Sequence, residues 1–516
     1  MSTVEERPAA TTNGTTAAGP STIPVENPAT GKIVAHVPDM SADEVAALVA
    51  RARAAQPGWE ALGFAGRAHY MRAIKQWMVE NRDRVIGAVM EETGKTREDA
   101  TLADWVYCID SLSFWAKHAP KYLADEKVRS HSPLLLGKKL LVRYEPVGVV
   151  GVIGPWNFPL TLCFGDAIPA LMAGNSVVVK PSEVTPLSNL LIEEAWQEIG
   201  APRDTFLVAT GRGETGAALV DHSDMLMFTG STATGKKIMA RAAETLTPVS
   251  LELGGKDPMI VLRDADLERA ANFAVQYSML NAGQVCQSIE RVYVEAPVYD
   301  EFVAKCVDKT RALRQGPPGA AGSVDVGAVI HPPQADIVER HVKDAVAKGA
   351  KVLVGGGRSD EAGHFFEPTV LVDVDHTMSA MTEETFGPTL PIMKVADEEE
   401  ALRLANDSNY GLNSSVFTKD VEKGERIARR IQAGNACVNE CMLNYVAQEV
   451  PFGGHKESGL GSRHGQGGIR KYTRSQTITI ARFGPKRELH FYPFTRKRSE
   501  RLEKGMALLH GKRGKR

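Results

Sequence analysis

The sequence predicts an α/β protein built on parallel sheets with helices on their faces. Three observations lead there. The chain has 516 residues, more than a single core absorbs when domains run to roughly 100–200 residues. β-branched runs at 149–153, 176–180, 206–209, 225–228 and 249–253 alternate with helix-period stretches at 160–173 and 187–199, the rhythm of strands joined by crossover helices. A second alternating series follows, with a helix over 267–280, a strand over 291–295, a helix over 298–313 and strands near Val352, Val370 and Leu390. It predicts a second α/β domain.

Taken in order, residues 1–23 are rich in Thr, Ala, Gly and Pro without apolar periodicity, so they are expected to form a disordered leader. Glu5, Glu6 and the single Arg7 fit neither a signal peptide nor a mitochondrial presequence, which makes the cytoplasm the expected compartment. Helix-period segments at 42–55, 66–81 and 85–93 precede the strand series. At the far end, residues 485–516 hold 11 Lys and Arg against 3 acids, a net of +8, which leaves the preceding 484 residues at −10 out of an overall −2. This tail mixes aromatics with basic residues in HFYPFTRKR at 490–498. A solvated, partly helical extension is expected there, with attraction to an anionic membrane surface as the alternative.

Composition narrows the function classes. No run approaches the ~18 apolar residues of a membrane helix, and 61 basic against 63 acidic residues argue against a protein built around nucleic acid. Six cysteines in so long a chain form neither a secreted disulfide framework nor paired metal knuckles, so a reducing compartment and no metal are expected. Cys437 lies within, and Cys441 just after, what reads as a half-buried strand at 435–439, with no His cluster beside it.

Two glycine patterns fail as signatures. GRGETG at 211–216 fits the dinucleotide fingerprint, yet the next strand ends Met227-Phe228-Thr229, without the acid that would hold a ribose. GSTATGKK at 230–237 matches a phosphate loop until Lys237 takes the place of the Mg²⁺-binding Ser or Thr. What survives is a strand entering a Gly-Ser-Thr turn at a helix start, which suits either a phosphate or a plain Ser231 cap. Cys286, in NAGQVCQS between a helix and a strand, occupies the loop position a nucleophile needs; buried small hydrophobe is the other use of such a Cys. Glu252 ends an apolar strand beside two glycines, where desolvation would raise its pKa toward a general base. Asn157, in GPWNFP, could donate to a developing oxyanion or close an Asx turn.

Together PWNFP, VVVKPSE, FTGSTATG, LELGGKDP, NAGQVCQS, EETFGP and PFGG, in that order between about Asn27 and Arg482, resemble the NAD(P)-dependent aldehyde dehydrogenase superfamily. The resemblance implies an aldehyde dehydrogenase-like fold. A Rossmann-type NAD(P)-binding domain would span 24–137 and 145–254, a catalytic domain 255–441, and bridging segments for a homodimer or homotetramer 138–144 and 442–484. It makes Cys286 the nucleophile that forms a thiohemiacetal and then a thioester, Asn157 an oxyanion donor, and Glu252 the base for hydrolysis to the carboxylate. Lys180 and Glu183 would hold the adenosine ribose, Ser231 would contact the pyrophosphate, Glu384 and Phe386 would fix the nicotinamide ribose, and Ser182, Gly213, Gly230 and Asn157 would also bind the cofactor. Trp156 and Leu253 would line the same slot. An acid at Glu183 repels a 2′-phosphate, so NAD is expected ahead of NADP.

The wording around Cys286 and GSRHGQGGIRKYTRSQTI at 461–478 resemble the branch labelled succinate-semialdehyde dehydrogenase. That branch pairs the distal carboxylate with Arg, where this chain has Leu280 and, in the second place, Leu162, Cys163 and Phe164. An uncharged aliphatic or aromatic aldehyde is therefore expected, with succinate semialdehyde as the alternative. A CoA-acylating enzyme is disfavoured by Glu252, and a catalytically silent structural protein by the intact Cys286, Glu252, Asn157, Lys180 and Glu384.

Overall fold

The structure, a computed structural model, describes residues 21–510 other than 133, 134, 136, 360, 361, 485 and 489. Of the expected leader, residues 1–20 lie outside the described residues. Thr22 and Ile23 instead open a strand, Thr22–Asn27, paired antiparallel with Lys32–Pro38; Ile23 and Val25 are buried, which supplies the apolar contact the leader lacks.

All five strands of the first series form. Val149–Ile153, Ser176–Lys180, Phe206–Val208, Met225–Thr229 and Val249–Glu252 are parallel neighbours, and Gly459–Leu460 adds an antiparallel edge beside Val249–Glu252. The first four of these along the chain are buried along their length, as near-continuous apolar runs require when both faces are covered. Helix Pro159–Met172 is buried at every residue, so it is apolar all round rather than striped. Counted along the chain, the five parallel strands lie in the order 3-2-1-4-5. The order reverses between Val149–Ile153 and Met225–Thr229, and the loops leaving those two carboxyl ends diverge to open a crevice.

Five residues after Glu252 the chain enters a second sheet at Asp257–Val261. Its neighbours run Lys351–Val354, Thr369–Val372, Thr389–Val395, Ile289–Glu295, Asp257–Val261, Ser415–Phe417 and Cys437–Val438, with only the first antiparallel. The helix expected to stop at 55 runs from Ala42 to Ala61 through Pro57; Trp59, fully buried with its indole N–H donating to the Leu171 carbonyl at 2.9 Å, holds that last turn. Helix Pro332–Ala347 was not anticipated.

The chain divides into two compact units, one of residues up to Tyr122 with Pro146–Thr473, the other of Leu123–Glu145 with residues from Arg474 onward. Both large sheets lie in the first. Residues 442–473, expected with the bridging segments, belong there too, because Gly459–Leu460 pairs with Leu251–Glu252 and Arg463 is buried. Residues 123–137, expected with the cofactor part, belong to the second unit. That unit is built on a three-stranded sheet of Thr473–Ala481, Lys138–Pro146 and Glu126–Val128, followed by helix Arg496–His510. Among the described residues no helix is long and apolar enough to cross a membrane, and no His, Cys, Asp and Glu cluster could hold a metal.

Candidate active site

At the reversal of strand order lies a cavity of about 260 Å³, lined by residues from both large sheets. Pro155, Trp156 and Asn157 come from the loop after Val149–Ile153; Gly230 and Ser231 follow Met225–Thr229; Leu253 and Gly254 follow Val249–Glu252. Cys286, Glu384 and Phe386 enter from the second sheet's side. Eight of the residues singled out from sequence thus share one wall.

The Cys286 loop is held in an unusual shape. Asn281 and Ala282 adopt left-handed conformations with φ of 51° and 54°, which cost free energy for non-glycine residues and persist only when surroundings fix them. Gln284 does much of that fixing: its Nε2 donates to the Asn281 and Ala328 carbonyls at 2.7 and 3.2 Å, and its Oε1 accepts from the Ile330 N–H at 2.8 Å. Asn157 reaches the same loop, its side-chain Nδ2 donating to the Gln284 carbonyl at 3.0 Å. One amide N–H is therefore engaged within the protein, and the amide carries a second donor.

Cys286 is half-buried, and desolvation pushes its thiol up to about 12, while the Arg463 guanidinium pulls the other way. Glu252 is buried with neither carboxylate oxygen hydrogen-bonded. Desolvation raises it to about 7 against the lowering pull of Arg463 and Lys471, the range a general base needs near neutrality. It stands just behind the cavity wall, and its charge is among those that raise Cys286.

Three buried charge pairs that sequence reading missed support these groups. Arg463 donates to both Asp166 oxygens at 2.8 and 2.9 Å, bonds Thr229 Oγ1, and lies 3.7 Å from Glu252. Lys95 donates to Asp104 at 2.9 Å and to the Asn157 carbonyl at 2.8 Å. Lys256 donates to Glu290 at 2.6 Å, and Glu290 accepts the backbone N–H groups of Thr385 and Phe386 at 2.8 and 2.9 Å, which sets the Glu384 loop. Asp166, the single charge in an otherwise apolar helix, was the one visible signal.

The structure also tests whether a dinucleotide fits. Ser231 caps helix Thr232–Ala243 by accepting from the Thr234 N–H at 3.3 Å, so a helix N-terminus opens into the cavity. Trp156 meets Phe386 edge to face, ring centroids 5.4 Å apart. Glu384 accepts from the Gly255 N–H at 3.0 Å, and burial raises it to about 8, leaving a largely protonated acid suited to ribose hydroxyls. Lys180, Ser182, Glu183 and Gly213 lie outside this wall, at or after the carboxyl ends of neighbouring strands. Lys180, almost fully buried, pairs with half-exposed Glu183 at 3.3 Å, Ser182 Oγ accepts from the Val184 N–H, and Gly213 starts helix Gly213–His222 with open space at its Cα. The residues present fit the cofactor. Leu162 lines the cavity as expected, but Leu280 lines a separate cavity of about 380 Å³ with Thr96, Asp99 and Lys309. The left-handed turn at Asn281 follows it directly.

Comparison with known proteins gives the family. Residues 15–478 match the model of the aldehyde dehydrogenase family. A relative from Mycolicibacterium smegmatis, provisionally named an NADP(+) succinate-semialdehyde dehydrogenase, is 44% identical over 89% of this chain and 89% of its own. The 4,4'-diapolycopene aldehyde oxidase of a Methylomonas species is 36% identical over 95% of this chain and 92% of its own. The crystal structure of a Mycobacterium tuberculosis aldehyde dehydrogenase complexed with NAD+ superposes with a TM-score of 0.85 at 36% identity, covering 90% of this chain and 95% of that one. Lactaldehyde dehydrogenase from Escherichia coli gives 0.86 at 36%, covering 90% and 96%.

Proposed function

This chain belongs to the aldehyde dehydrogenase family, and from that premise we propose which of its residues carry the reaction and on what substrate. The protein is an NAD(P)-dependent oxidoreductase acting on aldehydes. The observation that carries the assignment of roles is the meeting of the Cys286 thiol, the Asn157 amide and Glu384 in one cavity, with Glu252 behind it.

Cys286 Sγ adds to the aldehyde carbon, and Glu252 takes the thiol proton and passes it to solvent. The oxyanion of the thiohemiacetal accepts from the free N–H of Asn157 and from the Cys286 backbone N–H, each such donor contributing about 2.7–4 kcal/mol. Bound NAD(P) supplies a cationic ring that favours the thiolate and the acceptor for the hydride lost from the adduct. Glu252, ionised again, deprotonates the water that attacks the resulting thioester, and the carboxylate leaves as Cys286 recovers its proton. Trp156, Gly230, Ser231, Leu253, Glu384 and Phe386 hold the nicotinamide and pyrophosphate side. Lys180, Ser182, Glu183 and Gly213 hold the adenosine side, and Glu183 favours NAD over NADP.

The substrate class is an uncharged aliphatic or aromatic aldehyde, supported by Leu162 in the cavity wall and by the Methylomonas relative named for an aldehyde of 4,4'-diapolycopene. Succinate semialdehyde is the second reading, supported by the name of the Mycolicibacterium relative. The molecule is a cytoplasmic homo-oligomer: its cysteines are all free thiols, as in a reducing compartment, and Thr473–Ala481 is an edge strand open to pairing with a second copy. Reduced-cofactor formation with hexanal, benzaldehyde and succinate semialdehyde, each with NAD and NADP, tests the assignment. A kcat/KM for succinate semialdehyde well above the other two would reverse the substrate order.

A further inference from the structure

Apart from the catalytic machinery, the second unit ends in a segment whose chemistry the reaction does not use. Phe491, Tyr492 and Phe494 are 46%, 79% and 62% exposed, three aromatic rings in water just ahead of helix Arg496–His510. At 3.6 residues per turn, Lys497, Arg501 and Lys504 fall within an arc of roughly 60° on that helix, and Leu508, 86% exposed, projects among them. Arg498 flanks the arc. Arg496 pairs with Glu500 at 2.9 Å, whereas Lys497, Arg498, Arg501 and Lys504 have no carboxylate partner among the described residues. Leu502 and Met506, on a different side of the helix, are the partly buried apolar positions.

We propose that the aromatic and basic segment of residues 491–508 docks the enzyme on the surface of an anionic lipid bilayer. Lys and Arg side chains reach lipid phosphates while their stems lie along apolar surface, and aromatic rings with a projecting Leu settle at the boundary of headgroups and acyl chains. A second copy of this chain is a poor occupant, because it would bring the same net +8 of residues 485–516 against itself. Docking places the enzyme where apolar aldehydes partition. The inference rests on the tail alone and stands apart from the assignment of substrate.

The test is flotation of the full-length protein with vesicles of phosphatidylcholine alone or mixed with phosphatidylglycerol, at low and high salt. Two variants are compared with the wild type. One carries Lys497→Gln, Arg498→Gln, Arg501→Gln and Lys504→Gln; the other carries Phe491→Ser, Tyr492→Ser, Phe494→Ser and Leu508→Ser. The wild type is expected to float with the phosphatidylglycerol vesicles only and to be released by salt. Each variant is expected to lose at least about tenfold in partitioning while oxidising hexanal in solution at the wild-type rate and keeping its mass by light scattering. Equal flotation with and without phosphatidylglycerol, or variants that float as the wild type does, would overturn the proposal. So would variants whose particle mass drops, since the segment would then belong to a contact between copies. Failure of wild-type hexanal oxidation would sink the assigned substrate instead and leave the flotation result standing.

Discussion

At the scale of single residues the site is an exercise in burying charge. Cys286→Ser should lower kcat by about 10³-fold or more, the scale of losing a nucleophile, in a steady-state assay with hexanal and NAD. Glu252 allows a sharper forecast. With its carboxyl raised from the ordinary 4.5 to about 7, hydrolytic turnover should fall as pH drops through about 7. Asp166 is one of the charges that raise it, so Asp166→Asn should move that limb to lower pH, by about one unit; a limb that stays put in the kcat profile would detach Glu252 from the Arg463 pair. The stability consequence has a definite sign. The native state binds this proton more tightly than the unfolded chain between 4.5 and about 7, so the stabilisation it gives is present at low pH and is lost as pH rises through that window. Glu252→Gln should accordingly gain stability over the wild type at about pH 8 more than at about pH 5 in urea titrations.

At the scale of elements, the catalytic loops are shaped by irregular backbone held in place by buried pairs. The π-helical stretch Ala100–Val106 widens the helix at the point where Asp104 turns inward, accepting both Lys95 Nζ and the Thr161 N–H. Lys95 then grips the Asn157 carbonyl, so one ion pair ties this stretch to the loop that carries the proposed oxyanion donor. Lys95→Met should cost about 3–5 kcal/mol, because Asp104 is left buried and uncompensated, and should lower kcat more than it raises KM; a variant with wild-type Tm would refute the linkage. These ties were hidden in the sequence for a physical reason. The strands declare themselves by runs such as SVVVK and MLMFT, but Lys95–Asp104, Lys256–Glu290 and Arg463–Asp166 join residues 9, 34 and 297 positions apart, and a charged residue in a sequence is ordinarily solvated. Leu280 shows the converse. It lines a cavity apart from Cys286, and the left-handed turn that follows it has no signature in NAG beyond one glycine.

At the scale of the whole molecule, the two large sheets share one compact unit, and the segment after the second sheet returns to the first. Strand Gly459–Leu460 extends the first sheet beside Glu252, and Arg463, three residues on, sits beneath that carboxylate. The alternation of strands and helices made both sheets legible, but this return was not, since Gly459–Leu460 is a two-residue strand without apolar periodicity. Because the cavity draws its walls from both sheets, a ligand bound there stabilises the unit as a whole. NAD at about 100 times its Kd should add about 2.7 kcal/mol and raise the Tm of the main unfolding transition. Glu183, half-exposed beside Lys180, is proposed to bear on which dinucleotide does so: a carboxylate there would accept from ribose hydroxyls and repel a 2′-phosphate. Glu183→Ser should therefore shrink the thermal shift given by NAD and enlarge the one given by NADP, with the ratio of kcat/KM values for the two cofactors moving in the same sense. Shifts and ratios identical to the wild type would mean that Glu183 does not read the ribose.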